Sequence, residues 1–350
     1  MKDLSAALTS SLAGMLSAAS EIGVITHTHP DGDAVGSAVA MYRYLRECLG
    51  KDACIMLADA PPEAVSFLTE GCAGDVLRYD TNPEKVRDKV RRCDLLVFLD
   101  LNSISRTGQM AEVFDGATAS RILVDHHLNP AADEFQLIFS ETEISSASEL
   151  LYHILKTMPD IGDQPGRLPH GCLEAVMTGL TTDTNNFANS VFPSTFRTAS
   201  ELIAAGVDRD MILMHVYNSY PERRIRLMGE MLSRNLTITS DGVAYMILDG
   251  ETIRRHGIEQ GETEAFVNIP LTIGKVCMSI FVKDYGDMYR VSIRSKAGVS
   301  ANRLAMKYFS GGGHEQASGG KIPKEGDTST PQGVASYIER VTAEFFADEN

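Results

Sequence analysis

The 350-residue chain has no tryptophan, only 6 cysteines and a shortage of positive charge: 32 Lys and Arg stand against 47 Asp and Glu, a formal net charge of −15 at pH 7. Each shortage excludes something. No apolar run reaches the roughly 18 residues that a membrane-spanning helix needs, so no membrane association is expected. Cys48, Cys54, Cys72, Cys93, Cys172 and Cys277 form no C-x-x-C pair and no dense framework. That pattern argues for free thiols in a reducing compartment, the cytoplasm, and against a disulfide scaffold or a zinc–thiolate site. The excess of acid excludes a general basic coat for nucleic acid, because such binding rests on Lys and Arg neutralising phosphates; long duplex nucleic acid is not an expected partner. The N-terminal stretch Met1–Ser20 is rich in Ala, Ser and Leu but has no long apolar centre, so it reads as an amphipathic helix and not as a signal peptide. What is present, 43% hydrophobic and 23% charged residues over a length well above the roughly 100–200 residues of one domain, is a folded chain of two-domain size.

Charge is unevenly spread. Up to position 190 there are 27 acidic and 14 basic residues, and beyond it 20 acidic and 18 basic. Within the second half, Lys275, Lys283, Arg290, Arg294, Lys296, Arg303 and Lys307 are interrupted only by Asp284 and Asp287. A solvated sheet edge is the plain reading of such a run, and a local grip on an anion is the other.

The first half alternates short apolar runs (23–26, 53–57, 94–101, 121–127) with helical patterns, the signature of a parallel α/β sheet. Helical spacing marks 147–155, 173–180, 195–206, 211–217 and 222–234. Strand patterns then return at 237–239, 243–248, 276–282 and 289–293, with helices near 304–308 and 334–346. The expected fold is therefore α/β: a parallel-sheet domain with flanking helices over 1–190, a helical connector over 191–235, and a smaller mixed α/β domain over 236–350.

Three of the apolar runs end in metal-ligand residue types. The first leads into His27-Thr28-His29-Pro30-Asp31-Gly32-Asp33, the second into Asp100, and the third into Asp125-His126-His127. In an open parallel sheet, ligands bind beyond the carboxyl ends of the strands, so these clusters converge on one crevice. A fourth cluster, Thr181-Thr182-Asp183-Thr184-Asn185-Asn186-Phe187, follows a helical run. One Asp at a strand end is usually a turn former or a cap; several Asp and His at separate strand ends point to a shared ligand. Imidazoles and carboxylates without thiolates favour a divalent cation, Mn²⁺ first, with Mg²⁺, Fe²⁺ and Zn²⁺ as alternatives. Asp31 and Asp33, two apart in an extended turn, point to different sides and suit a pair of ions bridged by one carboxylate. In the far half, Gly311-Gly312-Gly313 offers successive unobstructed backbone amides, a natural cradle for phosphate. Arg294 suits bidentate phosphate contact.

These motifs, HTHPDGDAVGS, the strand ending at Asp100, the DHH at 125–127, TTDTNNF, and Arg294-Ser295 followed by GGGH at 311–314, together resemble those of the DHH phosphoesterases with a DHHA1 domain. They span residues 27 to 314, and the ending is similar to that of the group acting on oligoribonucleotides and 3′-phosphoadenosine-5′-phosphate (pAp). The resemblance implies His27, Asp31 and Asp100 on one metal ion and Asp33, Asp100, His126 and Asp183 on a second, with Asp100 bridging. It implies that His127 faces the scissile phosphate, that Asp125 orients the histidines, and that Arg106, Arg294, Ser295, Gly311, Gly312, Gly313 and His314 hold substrate. His29 falls at a variable position and reads as a polar loop residue. The implied activity is metal-dependent hydrolysis of short RNA oligonucleotides, linear dinucleotides such as pApA, and pAp. A crevice between the domains would act as a ruler, and a homodimer is compatible with it. Alternatives carried forward are a cyclic-dinucleotide phosphodiesterase, a RecJ-type single-strand exonuclease and a catalytically silent nucleotide sensor.

Overall fold

The computed structural model describes residues 6–259 and 261–349. Two compact units divide the chain, Met1–Ser219 and Tyr220–Asn350.

In the first unit the elements run α1 (Ala6–Ala18), β1 (Glu21–Ile25), α2 (Gly32–Arg43), β2 (Asp52–Leu57), α3 (Phe67–Glu70), β3 (Val76–Arg78), α4 (Pro83–Arg92), β4 (Leu95–Leu99), β5 (Ser120–Asp125), β6 (Leu137–Ser140), α5 (Ala147–Lys156), α6 (His170–Asp183), α7 (Pro193–Ala204) and α8 (Arg209–Tyr217). The strand order is β3-β2-β1-β4-β5-β6, and every pairing is parallel. A parallel sheet is covered on both faces, and its strands are correspondingly apolar throughout. In β4, Leu95, Val97 and Leu99 join the core under α2, α5 and α6, while Leu96 and Phe98 join a second core on the opposite face with Val86 and Val90 of α4. The strands expected from the apolar runs are β1, β2, β4 and β5. Short β3 and β6 lack a distinct pattern and are recognisable only through their neighbours. From β1 the chain steps outward to β2 and β3, then crosses back to β4; where the order reverses, between β1 and β4, their connections part and leave a crevice at the carboxyl ends.

The second unit contains α9 (Glu222–Glu230), β7 (Thr237–Ile238), β8 (Val243–Leu248), α10 (Gly250–His256), β9 (Met278–Asp284), β10 (Met288–Ser295), α11 (Ala301–Tyr308), β11 (Gly312–Gly313), β12 (Ala317–Pro323) and α12 (Pro331–Glu349). Its sheet order is β11-β12-β10-β9-β8-β7. The β8–β9 pair is parallel and the rest are antiparallel. One face packs on α11 and α12; near β8 and β9 the other carries Met246, Leu248 and Phe281 against Leu227 and Phe266. β11 and β12 escape a sequence pattern because glycine and lysine replace the branched residues that mark strands. Among the described residues no helix is long and apolar enough to cross a membrane.

Helices α2 and α6 cross closely at Gly36, where a Cβ would lie 2.6 Å from the Ala175 carbonyl oxygen and 3.0 Å from the Gly179 nitrogen. Backbone atoms cannot step aside as a side chain can. Gly36→Ala is expected to destabilise the chain by about 1–3 kcal/mol, read as a lower denaturation midpoint. Because α2 carries Asp33 and α6 ends on Asp183, divalent-metal affinity measured calorimetrically is expected to fall with it.

Candidate metal centre

Strand ends supply the first three groups. β1 runs out at Ile25 into Thr26 and His27, β4 into Asp100, and β5 ends on Asp125 before His126 and His127. Asp100 adopts a left-handed backbone, φ 59, a conformation that Asp tolerates better than most residues. Its amide donates to the Val124 carbonyl at 3.1 Å, and its carboxylate turns into the crevice. There it stands between two imidazoles: His27 Nε2 lies 3.4 Å from Oδ2, and His126 Nε2 lies 3.5 Å from Oδ1. Asp100 is 2% exposed, and its Oδ1 has no hydrogen-bond partner.

Two helices bring the remaining groups. Asp31 caps α2, its Oδ1 accepting from the Asp33 and Ala34 amides at 3.0 and 3.1 Å. The Asp33 carboxylate accepts from the Ala147 amide at 2.7 Å and the Ser148 amide at 2.9 Å, so it sits on the first turn of α5, where the helix dipole favours negative charge. Asp183, the last residue of α6, places Oδ2 3.6 Å from His126 Nε2. Ligand-type atoms come together in three groups, each with its atoms within 4.8 Å of one another: His27, Asp31 and Asp100; Asp33, His126 and Asp183; and Asp100, His126 and His127.

A surrounding layer fixes the ring orientations. His27 Nδ1 donates to the Thr28 carbonyl at 2.8 Å, which turns Nε2 toward Asp100. Asp125, fully buried, accepts from His127 Nδ1 at 2.7 Å and from the His127 amide at 3.2 Å. Sequence reasoning overlooks Asp59, which accepts from the Thr28 hydroxyl at 2.5 Å and the His29 amide at 2.7 Å, and faces His29 Nδ1 at 3.3 Å. Its only signal is a place just beyond β2, the strand beside β1. The backbone contacts of Ala147 and Ser148 to Asp33 leave no sequence signal at all. Arg106 is exposed, and its backbone carbonyl accepts from the Thr28 amide at 2.8 Å.

The electrostatics follow from five aspartates gathered with histidines but, among the described residues, with no Lys or Arg at ion-pair distance. Burial pulls the imidazoles toward neutrality, yet the close approach and charge of the Asp100 carboxylate overcome it and raise His27 to about 9 and His126 to about 10. Burial, then repulsion from Asp100, raises Asp33 to about 7, and burial with the charge of Asp33 lifts Asp183 well above the usual carboxylate range. Asp100 resists burial because both imidazoles hold it ionised. A buried carboxylate between two imidazoles, with an oxygen that accepts no hydrogen bond, in a donor set of carboxylates and imidazoles, fits a divalent cation.

In the second unit, Arg294, next to last in β10, lies opposite Ala317 of β12. It is half-buried, its Nη1 donating to the Ile293 carbonyl at 2.9 Å, and burial holds its guanidinium below the ordinary arginine value. The Ser295 hydroxyl donates to the Val299 carbonyl at 2.6 Å. The glycine run is a strand edge and its turn: Gly312 and Gly313 pair with Gly319 and Ser318. The Gly311 and His314 amides donate to Ala305 and Ala317, so these two are engaged within the chain. A Cβ on Gly311 would stand 1.9 Å from the Gly319 carbonyl oxygen, which supplies a packing reason for glycine there. The registers bring Arg294, Ser295 and the 311–314 segment to one end of the sheet.

A parallel sheet with carboxylates and imidazoles at its switch point and a separate mixed-sheet unit define a class, and the chain belongs to the DHH family: residues 21–180 match the DHH family, N-terminal domain, and residues 240–342 match the DHHA1 domain. It is 29% identical over 312 residues to the bifunctional oligoribonuclease and PAP phosphatase of Thermus thermophilus, covering 86% of this chain and 84% of that protein. It is 25% identical over 305 residues to the protein of the same description in Bacillus subtilis, covering 85% and 89%. Among solved structures, an exopolyphosphatase-related protein from Bacteroides fragilis superposes with a TM-score of 0.91 at 32% identity, covering 99% of this chain and 98% of that one.

Without metal, His27, His126 and Asp33 retain protons in the folded chain that they lose when unfolded, since their folded values exceed ordinary values of 6.5 and 3.8. Their contribution to stability is therefore complete at low pH and lost as pH rises, from about 4 to 7 for Asp33 and from about 6.5 to 10 for the imidazoles. In EDTA the melting temperature is expected to fall between pH 7 and 10, and saturating Mn²⁺ is expected to flatten that fall because metal replaces the protons. Calorimetry across pH with and without Mn²⁺ reads both; a melting temperature rising over this range in EDTA would contradict the assignment.

Proposed function

We propose that the chain is a phosphoesterase using two divalent metal ions, Mn²⁺ first, to hydrolyse short oligoribonucleotides and linear dinucleotides such as pApA to mononucleotides, and to remove the 3′-phosphate of pAp. The observation that carries this reading is the buried Asp100 carboxylate, contacted from opposite oxygens by His27 and His126. The activities named for the Thermus thermophilus and Bacillus subtilis relatives support the substrate class. In this reading residues 1–190 are catalytic, 191–235 connect, and 236–350 hold substrate.

His27, Asp31 and Asp100 would hold one ion, and Asp33, Asp100, His126 and Asp183 the other. When bound, such ions supply hydroxide near neutral pH and offset charge on the phosphoryl oxygens. The chain's own residues do the rest. Asp33, held on the first turn of α5, and Asp31, held on α2, fix the donor set on rigid elements. Asp125 engages His127 Nδ1, so the ring presents Nε2 toward substrate and can give its proton to the departing oxygen. Arg106 in the first unit would take a phosphate oxygen, and in the second unit Arg294, Ser295, the 311–313 glycines and His314 would hold substrate.

Asp100→Asn is expected to bring Mn²⁺-dependent release of AMP from pApA below detection, because the amide gives up one of two shared donor oxygens. His127→Ala is expected to lower kcat by roughly 10²–10⁴-fold with little change in KM, and Asp125→Ala by about 10–100-fold. Product profiles resolve the substrate: 5′-phosphorylated oligoribonucleotides of increasing length run beside pAp and cyclic di-AMP, after EDTA treatment and after Mn²⁺ or Mg²⁺ addition. Turnover of cyclic di-AMP or of long strands in preference to pApA would overturn the assignment, as would full activity in Asp100→Asn.

A further inference from the structure

The face of the second unit's sheet opposite α11 and α12 carries a row of cations at its β9–β12 end. Arg290 of β10 is directly opposite Lys283 of β9 on one side and Lys321 of β12 on the other, so the three side chains rise beside one another on one face. Like charges directly opposed across strands destabilise a sheet, yet none of these three makes an ion pair among the described residues. Lys283 reaches the Thr263 hydroxyl at 3.3 Å. Burial lowers its ammonium pKa in spite of the charges of Glu262 and Glu264, and Arg290 lowers it further. Tyr285, in the turn between the two strands, holds the row in place: its ring centroid is 5.5 Å from Lys283 Nζ and 5.1 Å from the Arg290 guanidinium carbon. A preorganised set of cations that repel one another is stabilised by a multivalent anion laid across it.

The same face continues to Arg294. Along β10, Tyr289, Val291 and Ile293 point into the core, and Arg290, Ser292 and Arg294 point away from it. Between the two arginines the surface is low on the β12 side, for Ser292 lies opposite Gly319. Four residues of strand put about 13 Å between Arg290 and Arg294. A small-residue floor with cations at both ends suits a chain of phosphates better than a single one.

We propose that this face is a track for the phosphodiester backbone of an oligoribonucleotide, with Lys283, Arg290 and Lys321 gripping phosphates beyond the one taken by Arg294. The choice of RNA over another polyanion rests on the function proposed above; the track itself rests on the charge row and the floor. It gives Gly319 a use, since a side chain there would stand in the path of the backbone.

The test is equilibrium binding to the full chain in EDTA, where no turnover is required. A fluorescein-labelled, 5′-phosphorylated heptamer of oligoadenylate is titrated by anisotropy over a range of salt concentrations. Arg290→Gln combined with Lys321→Gln is expected to bind about tenfold more weakly. Its slope of log affinity against log salt should shrink by about 1.4, or about 0.7 for each phosphate no longer neutralised. The charge-preserving pair R290K and K321R should retain the wild-type slope. An unchanged slope in the neutral pair overturns the track, and so does an equal loss in the charge-preserving pair, which would mark packing as the cause. Unlabelled heptamer should displace the probe more effectively than inorganic polyphosphate; the reverse order overturns the assignment to RNA. Failure of metal-dependent pApA turnover would strike the proposed function and leave this binding result standing.

Discussion

The first unit is organised around a carboxylate that its protein neighbours do not fully satisfy. Asp100 lies buried at the end of β4 with histidines on both sides, and no Lys or Arg among the described residues reaches the cluster it belongs to. Five aspartates so close together repel one another, and the metal-free chain answers with protons, raising His27, His126 and Asp33. Divalent cations would do the same work with more charge, displacing those protons as they bind. Much of the unit serves to hold the cluster against its own repulsion: the α2 and α5 amides take up Asp31 and Asp33, Asp125 fixes His127, and Asp59 pins the loop after β1.

The opposite electrostatic problem appears in the second unit, where cations instead of carboxylates are crowded on a sheet face. The net charge of −15 thus averages two local imbalances of opposite sign. Overall acidity excludes a nonspecific nucleic-acid coat and still accommodates a small polyanion, because what matters to such a ligand is the field within a Debye length of roughly 8–10 Å.

Much of the site is legible in the sequence. Strands β1, β4 and β5 are continuous apolar runs because both faces of a parallel sheet are buried, and a polar residue directly after such a run must lie at a strand end. That reasoning locates His27, Asp100 and Asp125–His127. Asp59 escapes it because a single Asp after a strand is indistinguishable from a turn former. The bonds from Ala147 and Ser148 to Asp33 escape it because they are backbone bonds, to which side-chain identity contributes nothing. In the sequence the glycines at 311–313 signal open amides; paired with β12, Gly311 also answers to the close approach of the Gly319 carbonyl, a constraint that exists only once β12 is in place.

By itself the sequence determined the alternation of strands and helices, the chemical types of the candidate ligands and their positions at chain turns, because periodicity and local residue chemistry are written residue by residue. Only the tertiary structure decided that Asp100 stands between His27 and His126, that α5 supports Asp33, and that Lys283, Arg290 and Lys321 form one row. Those facts depend on strand order, register and helix crossing, which are settled by burying both faces of a sheet at once and so belong to no local stretch of chain.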